Sequence, residues 1–190
     1  KHNGRADIVD RNGVLMATSL STASLFANPR LVLDPEQAAL KLATALPDID
    51  VKVIEKKLRS NRGFVWLKRH LTPRQQYAVN RLGIPALNFQ REARRMYPMG
   101  SLAAHALGFT DIDNKGLTGI ERYFDKELRT RQDNMALSID VRVQHVLEHE
   151  LGVAMKKFSA IGAAGLVMDV TTGEVVAMSS LPSFDPNQPG

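Results

Sequence analysis

The stretch that decides the fold of the amino-terminal part is Gly4-Arg-Ala-Asp-Ile-Val-Asp-Arg-Asn-Gly-Val-Leu-Met-Ala17. Short apolar runs flank Asn12-Gly13, a dipeptide that readily adopts the positive φ angles of a tight turn. The segment from Asp7 to Ala17 is therefore predicted to be a β-hairpin. Residues 23–27 are predicted to form a further strand.

Three helices with recognisable start signals are predicted after the hairpin. Asp34 can accept hydrogen bonds at a helix start, Pro35 suits the first helical position, and Gln37 can complete a capping box. Asp50 and Thr72 start the other two helices in a similar way. The predicted extents are 34–47, 50–59 and 72–83, with a short strand at 64–67. Helices and strands without a strand–helix–strand rhythm predict an α+β fold.

The composition changes near residue 134, and we predict two domains, residues 1–134 and 135–190. Asp140 is predicted to cap a long helix that follows a short extended segment. Two strands are predicted next, at 163–170 and 174–180, and the first is apolar enough for a central strand covered on both faces. The apolar stripe predicted for the helix consists of Val143, Leu147, Leu151, Ala154 and Phe158.

Composition restricts the functions that this chain can have. It has 190 residues, 44% of them hydrophobic, and a net charge of +5. A basic surface could attract nucleic acid or an anionic membrane, but the basic residues are spread out and not interleaved with aromatic runs, so no nucleic-acid partner is predicted. The absence of cysteine excludes disulfides, thiolate metal sites and a cysteine nucleophile. No run approaches the ~18 apolar residues of a membrane span.

Two short patterns resemble metal sites. His145-Val-Leu-Glu-His149 has the spelling of a zinc-peptidase signature, but a third ligand would be needed, so both histidines are predicted on a polar helix face. Residues 111–116 resemble the start of a calcium loop, yet Lys115 and Arg122 occupy positions where oxygen ligands belong. We predict a turn there, and no metal or cofactor.

Serine acyl-enzyme chemistry has sequence signs that this chain lacks. None of its serines has lysine three positions later, as in S-x-x-K, and none has asparagine two positions later, as in S-x-N. The only Thr-Gly pair, Thr172-Gly173, follows Thr171 rather than the lysine of K-T-G. No catalytic residue is therefore predicted.

Five stretches resemble, in the same order, the sequence motifs of class B penicillin-binding proteins. The first three are similar to the family's non-catalytic motifs, the fourth to the start of its transpeptidase domain, and the fifth to that domain's first strand pair. They are Gly4–Gly13 with Leu15 and Ala17; Arg95–Pro98 with Ala103–His105 and Gly108-Phe109; Gly116–Glu121 with Phe124-Asp125 and Leu128-Arg129; Leu137–Asp140 with Gln144; and Ala163–Met178 with Pro182–Asn187.

The resemblance implies an elongated pedestal, or dimerisation, domain followed by the first helix and β-hairpin of an α/β transpeptidase domain. Residues 64–69 and 72–76 look most like the division-specific, FtsI-type branch. The implied function is a non-catalytic scaffold within a peptidoglycan D,D-transpeptidase of septal cell-wall cross-linking. The alternative is the pedestal of an elongation-type or resistance-type member, and the distant alternatives are a metal-binding or nucleic-acid-binding module.

The family further implies a parent protein on the periplasmic side of the bacterial inner membrane, anchored by one amino-terminal helix. Its catalytic serine would react with peptidoglycan stem peptides and with β-lactams. The implied partners are division proteins, including the septal glycosyltransferase. The chain departs from the family in having only Thr130–Ala136 before the transpeptidase start, and in reaching Gly190 before S-x-x-K. We expect it to be inactive alone.

A clamp between the hairpin and the later motifs is the site hypothesis that follows from this resemblance. Five charged residues are its candidates for charge-assisted hydrogen bonds, two or three of them buried, with surface ion pairs as the alternative: Arg5, Asp10, Arg11, Arg95 and Glu121. The other candidates for a structural or partner-docking role are Asn12, Gly13, Tyr97, Pro98, His105 and Gly119.

Overall fold

Helices and strands alternate irregularly in the computed structural model, which describes residues 4–189. This mixed order confirms the predicted α+β class. The strands are β1 (Ile8–Val9), β2 (Leu15–Ala27), β3 (Val65–Leu71), β4 (Leu87–Met96), β5 (Met135–Ala136), β6 (Ala163–Met168) and β7 (Val175–Leu181). The helices are α1 (Pro35–Ala45), α2 (Val51–Leu58), α3 (Pro73–Asn80), α4 (Ala104–Leu107), α5 (Gly119–Tyr123), α6 (Asp125–Thr130) and α7 (Val141–Phe158), besides a 3-10 turn at Pro29–Leu31.

Contacts divide the chain into two compact units. Unit 2 is Ser21–Ala93, and unit 1 contains the described residues before and after it. The chain passes from one unit to the other within β2 and again within β4. The domain boundary predicted near residue 134 stays a prediction.

Unit 2 has its own apolar core between three helices and the sheet. The carboxyl-terminal part of β2 pairs antiparallel with β3, so that Phe26 lies opposite Trp66. Leu25, Leu42 and Leu58 are fully buried and belong to one cluster with side chains from all three helices. Burying each such leucine stabilises the unit by about 1.5–3 kcal/mol.

Unit 1 is built around the predicted amino-terminal hairpin. β1 pairs antiparallel with the start of β2 and parallel with β5, and Gly13 adopts a φ of 84° at the hairpin turn. Ile8, Met16 and Leu128 are fully buried in its core cluster. Farther along the chain, β6 and β7 form an antiparallel two-stranded ribbon on which α7 packs.

Local side-chain chemistry starts the four main helices where the sequence predicts. The carboxylates of Asp34, Asp50 and Asp140 each accept hydrogen bonds from backbone N–H groups of the following first turn. Thr72 and Gln75 form a complete capping box before α3. These contacts satisfy donors that a helix start would otherwise leave without partners.

The structure corrects several predictions from the sequence. Residues 23–27 are the end of the 13-residue strand β2 rather than a separate strand, and β4, α4, α5 and α6 were not predicted. Phe158 is 72% exposed and therefore lies outside the packed side of α7. β6 pairs only with β7 among the described residues, and Leu166 is 55% exposed, so β6 is not a covered central strand here.

Membrane-spanning helices are absent from the described part of the chain. None of its helices combines the length and the apolar character that crossing a bilayer requires.

Candidate functional site

Two arginines enclose a glutamate inside unit 1. The Arg5 guanidinium donates from Nε to Glu121 Oε2 at 2.8 Å and from Nη2 to the Glu121 carbonyl oxygen at 2.8 Å. Arg95 donates from Nε to the other carboxylate oxygen, Oε1, at 2.7 Å. Glu121 is 0% exposed, and the two arginines are 2% and 5% exposed. One carboxylate therefore accepts hydrogen bonds from two buried cations.

A second carboxylate completes the charge balance. Asp125, at the start of α6, accepts a hydrogen bond from Arg5 Nη1, which also donates to the Asn114 carbonyl oxygen at 2.9 Å. Two arginines thus face two carboxylates. Burial raises the pKa of Asp125, but hydrogen bonds from the Gly116 N–H and from Arg5 outweigh it and leave the pKa below its ordinary value.

Glycines allow the backbone to bring Glu121 to this position. Gly119 has a φ of 57°, and a Cβ atom there would lie 2.6 Å from the Ala106 carbonyl oxygen. A Cβ atom on Gly116 would lie 2.0 Å from the Glu121 carbonyl oxygen, and one on Gly108 equally close to the Thr118 carbonyl oxygen. Residues with side chains do not fit at these three positions. The close approach places α5 against α4 and holds the glutamate inside.

Tyr97 adds a further hydrogen bond to the Glu121 carboxylate. Its hydroxyl donates to Glu121 Oε1 at 3.4 Å. Burial, followed by the negative charge of Glu121, raises the pKa of this tyrosine well above its ordinary value, so it stays protonated and remains a donor. Arg95 Nη1 contacts the Ser19 hydroxyl at 3.3 Å, while its Nη2 is buried without a hydrogen-bond partner among residues 4–189.

This arrangement suits structure rather than catalysis. A general acid or nucleophile must reach a substrate, and Glu121 and Arg5 are closed off from solvent. Breaking such a buried pair would leave an uncompensated charge, which costs about 3–5 kcal/mol. The cluster therefore locks the segment before β1, the end of β4 and α5 together. We call these four residues, Arg5, Arg95, Glu121 and Asp125, the buried charge lock.

Asp10 and Arg11 lie outside the lock, so three of the five candidate residues meet in one cluster. Asp10 sits in the hairpin turn, where its carboxylate accepts from the N–H groups of Asn12 and Val14 at 2.8 Å and of Val141 at 3.2 Å. Arg11 is exposed in the same turn and pairs with Glu174 at 3.2 Å. The tight turn directs both side chains away from Glu121.

Asp10 and Asn12 instead tie the hairpin turn to the start of α7. The Asn12 amide donates to Asp140 Oδ2 at 3.0 Å, and Asp140 also binds the side chain of Arg142. The hydrogen bonds from Arg142 are the largest reason why the pKa of Asp140 lies far below its ordinary value of 3.8. The Asp140 carboxylate that caps α7 is thus ionised and also binds the hairpin turn.

Tyr97 and His105 contact a later segment, residues 182–187. The Asn187 side-chain amide accepts from the Tyr97 N–H at 2.9 Å and donates to the Tyr97 carbonyl oxygen at 3.0 Å. His105 Nε2 lies 3.2 Å from the Pro182 carbonyl oxygen, and the His105 ring packs edge-on against Phe184. Pro98 is exposed in the turn that follows Tyr97.

Four further side chains were not predicted as site residues, although the first three belong to the motifs given above: Asp125, Gln144, Asn187 and Glu148. Gln144 is fully buried and pairs with both backbone groups of Met178 at 2.8 and 2.9 Å. Glu148 accepts from the Ala103 N–H at 2.9 Å. The partners of these four side chains are backbone groups far along the chain or, for Asp125, an arginine 120 positions away, and no local pattern shows such contacts.

Metal-ligating side chains do not cluster among the described residues. No group of three or more histidines, cysteines, aspartates or glutamates there is arranged to hold an ion. His145 and His149 are exposed on α7, and residues 111–116 form a turn in which the Asp111 carboxylate accepts from the Lys115 N–H at 2.8 Å.

Sequence relatives of this chain are peptidoglycan enzymes by name. It is 42% identical over 191 residues to the probable peptidoglycan D,D-transpeptidase FtsI of Caulobacter vibrioides, covering 98% of this chain and 32% of the relative. It is 36% identical over 216 residues to the probable peptidoglycan D,D-transpeptidase PenA of Neisseria gonorrhoeae, covering 98% of this chain and 37% of the relative. The chain thus spans about a third of each.

Solved structures share the fold. A complex between penicillin-binding protein PBP2 and MreC from Helicobacter pylori contains a chain that superposes with a TM-score of 0.73 at 21% identity, covering 97% of this chain and 42% of that one. The family profile described as the penicillin-binding protein dimerisation domain matches residues 2–152. The chain therefore belongs to the penicillin-binding protein dimerisation domain family.

Proposed function

We propose that this chain is the non-catalytic scaffold part of a septal peptidoglycan D,D-transpeptidase. The observation that carries the proposal is the 42% identity to the FtsI relative along nearly the whole chain. The buried charge lock supports the proposal, because the charged residues of the motifs contact one another inside the protein. The lack of S-x-x-K, S-x-N and K-T-G fits the same role.

The parent protein would form an acyl-serine intermediate with a stem peptide, release D-alanine and transfer the acyl group to an amine of a neighbouring stem. β-Lactams would acylate the same serine.

We place the parent on the periplasmic side of the inner membrane. The scaffold would hold the acyl-transfer domain and dock division proteins, including the septal glycosyltransferase. The assembly of a Helicobacter pylori protein of the same fold with MreC supports a docking role.

Depletion of the parent gene tests the septal assignment. We expect long, undivided filaments, because the lateral wall would still grow while septa fail. Rounded cells would contradict the septal assignment and favour the elongation-type alternative.

Fluorescent penicillin separates the scaffold from the enzyme: it should label the parent protein in membranes and leave the purified 190-residue chain unlabelled. Covalent labelling of this chain would contradict the scaffold role.

A further inference from the structure

The positive charge of this protein is concentrated in unit 2. Its residues 21–93 contain 12 lysines and arginines against six aspartates and glutamates, whereas the remainder of the chain contains 13 against 14. The excess of positive charge on the whole chain therefore resides in fewer than half of its residues. A unit with this charge would attract an anionic partner.

All six carboxylates of unit 2 have internal partners. Asp34 and Asp50 cap helices, Glu36 and Glu55 contact Arg59, Asp48 pairs with Lys68, and Glu92 binds Arg69 and Ser24. Nine cationic side chains of this fully described unit have no carboxylate partner, but Arg30 and Lys57 donate to backbone carbonyl oxygens. The other seven have neither kind of contact. They are Lys41, Lys52, Lys56, Arg62, Arg74, Arg81 and Arg91.

Two of these cations flank an exposed tyrosine on α3. Arg74, Tyr77 and Arg81 are spaced by three and four residues, so they follow one face of the helix. Tyr77 is 66% exposed, and the Arg81 guanidinium lies 5.9 Å from the centre of its ring. No acidic residue occurs between Pro73 and Arg81. We call these three residues the α3 stripe.

The opposite side of α3 is already used for packing. Val79 is 2% exposed and belongs to the core cluster of unit 2, and the helix contacts α1 and β3. The capping box of Thr72 and Gln75 fixes the start of the helix. The α3 stripe is consequently presented on a fixed helix, which lowers the entropic cost of binding.

We propose that the α3 stripe docks a carboxylate-rich segment of a partner protein. This inference rests on the scaffold role proposed above and assigns that role to one surface of unit 2. The two guanidinium groups would bind carboxylates in their fork geometry, and the Tyr77 ring would pack against an apolar side chain between them. Arginine and tyrosine are the residue types that contribute most to protein interfaces.

The composition of the stripe favours protein over lipid. Helices that bind membranes insert an apolar face into the headgroup region, and the apolar face of α3 is occupied by the core of unit 2. Tyr77 is the only aromatic side chain on the helix. An anionic vesicle is therefore expected to bind more weakly than an acidic peptide and without dependence on Tyr77.

Fluorescence anisotropy of a labelled peptide of eight glutamates with a central leucine, titrated with the 190-residue chain at low salt, tests the proposal. The double reversal Arg74→Glu/Arg81→Glu should weaken binding at least about tenfold. The matched control Lys52→Glu/Lys56→Glu changes the net charge equally on α2 and should weaken binding no more than about threefold. Tyr77→Ala, which leaves the charge unchanged, should weaken binding about threefold or more.

Equal losses in the two double variants would mean that net charge alone attracts the peptide, and the proposal would be wrong. An unaffected Tyr77→Ala variant would contradict it as well. Tighter binding to phosphatidylglycerol vesicles, lost on reversal of the stripe, would identify a lipid surface instead. These binding results are independent of the cell shape seen on depletion. If depletion gives filaments but the stripe variants bind the peptide normally, only the proposed docking surface is wrong. If depletion gives rounded cells, only the septal role is wrong.

Discussion

Glu121 is the residue on which the buried charge lock depends, because its carboxylate accepts hydrogen bonds from both buried arginines. In Glu121→Gln the side chain keeps its shape but no longer neutralises Arg5 and Arg95. We expect the free energy of unfolding to fall by about 3–5 kcal/mol, measured by urea denaturation. The exposed pair Arg11–Glu174 supplies the control: Glu174→Gln should cost less than about 1 kcal/mol. Similar losses in both variants would contradict the lock.

Asp140 makes stability depend on pH. Its pKa lies below the ordinary value of 3.8, chiefly because Arg142 donates hydrogen bonds to the carboxylate. Folding therefore favours the ionised form, and the stabilisation is complete above the unfolded pKa and lost as the pH falls through the folded pKa. The stability difference between the wild-type chain and Asp140→Asn should be constant from about pH 7 to 5 and shrink below about pH 4. Urea denaturation at each pH measures it, and a constant difference would contradict this account.

At the scale of elements, two glycines near α7 should respond to substitution with opposite signs. A Cβ atom on Gly152, in the middle of the helix, meets nothing within 4 Å, so Gly152→Ala should stabilise the protein by about 0.5–1 kcal/mol. A Cβ atom on Gly165 of β6 would lie 2.8 Å from Leu147 Cδ1. Gly165→Val should overpack this contact and cost about 1–3 kcal/mol. Thermal denaturation compares the two, and the same sign for both would contradict the packing of α7 on the ribbon.

The capping box of α3 is a second test at this scale. Thr72→Ala removes the acceptor of the Gln75 N–H at 3.2 Å and should cost about 1 kcal/mol. Thr44, in α1, donates only to the Lys41 carbonyl oxygen and is exposed, so Thr44→Ala serves as the matched control with a change within about 0.5 kcal/mol. Chemical denaturation monitored by circular dichroism distinguishes them. An equal effect would show that the box contributes nothing.

At the scale of the whole molecule, the two apolar clusters each stay within one unit. Leu42 is fully buried in the cluster of unit 2, and Leu107 is 1% exposed in that of unit 1. Because each cluster supports its own unit, the units should open separately. Leu42→Ala should lower the opening free energy of backbone amides in residues 21–93 by about 2–5 kcal/mol and leave unit 1 nearly unchanged. Leu107→Ala should do the reverse.

Hydrogen exchange followed by mass spectrometry, with peptides assigned to each unit, measures both variants. Faster exchange spread evenly over the chain would contradict independent opening. The unfolding of the wild-type chain would then be a single cooperative transition.

The sequence by itself determined the local structure of this protein. Asp34, Asp50, Thr72 and Asp140 start the helices as predicted, and Asn12-Gly13 makes the hairpin turn, because capping and turn formation depend on neighbours within four residues. The α+β class followed from the same elements, and the order of five short motifs indicated the family that the comparisons confirm.

Only the tertiary structure decided which charged residues meet. Arg5 and Glu121 are 116 positions apart, and Asn187 and Tyr97 are 90 apart. No local rule separates Arg5, which is buried, from Arg11, which is exposed, since both are arginines beside the same hairpin. The short helices α4 to α6 were missed for a related reason: their positions depend on backbone approaches at Gly108, Gly116 and Gly119. Long-range packing determines which of several locally equivalent side chains become buried. It therefore determined which residues form the buried charge lock.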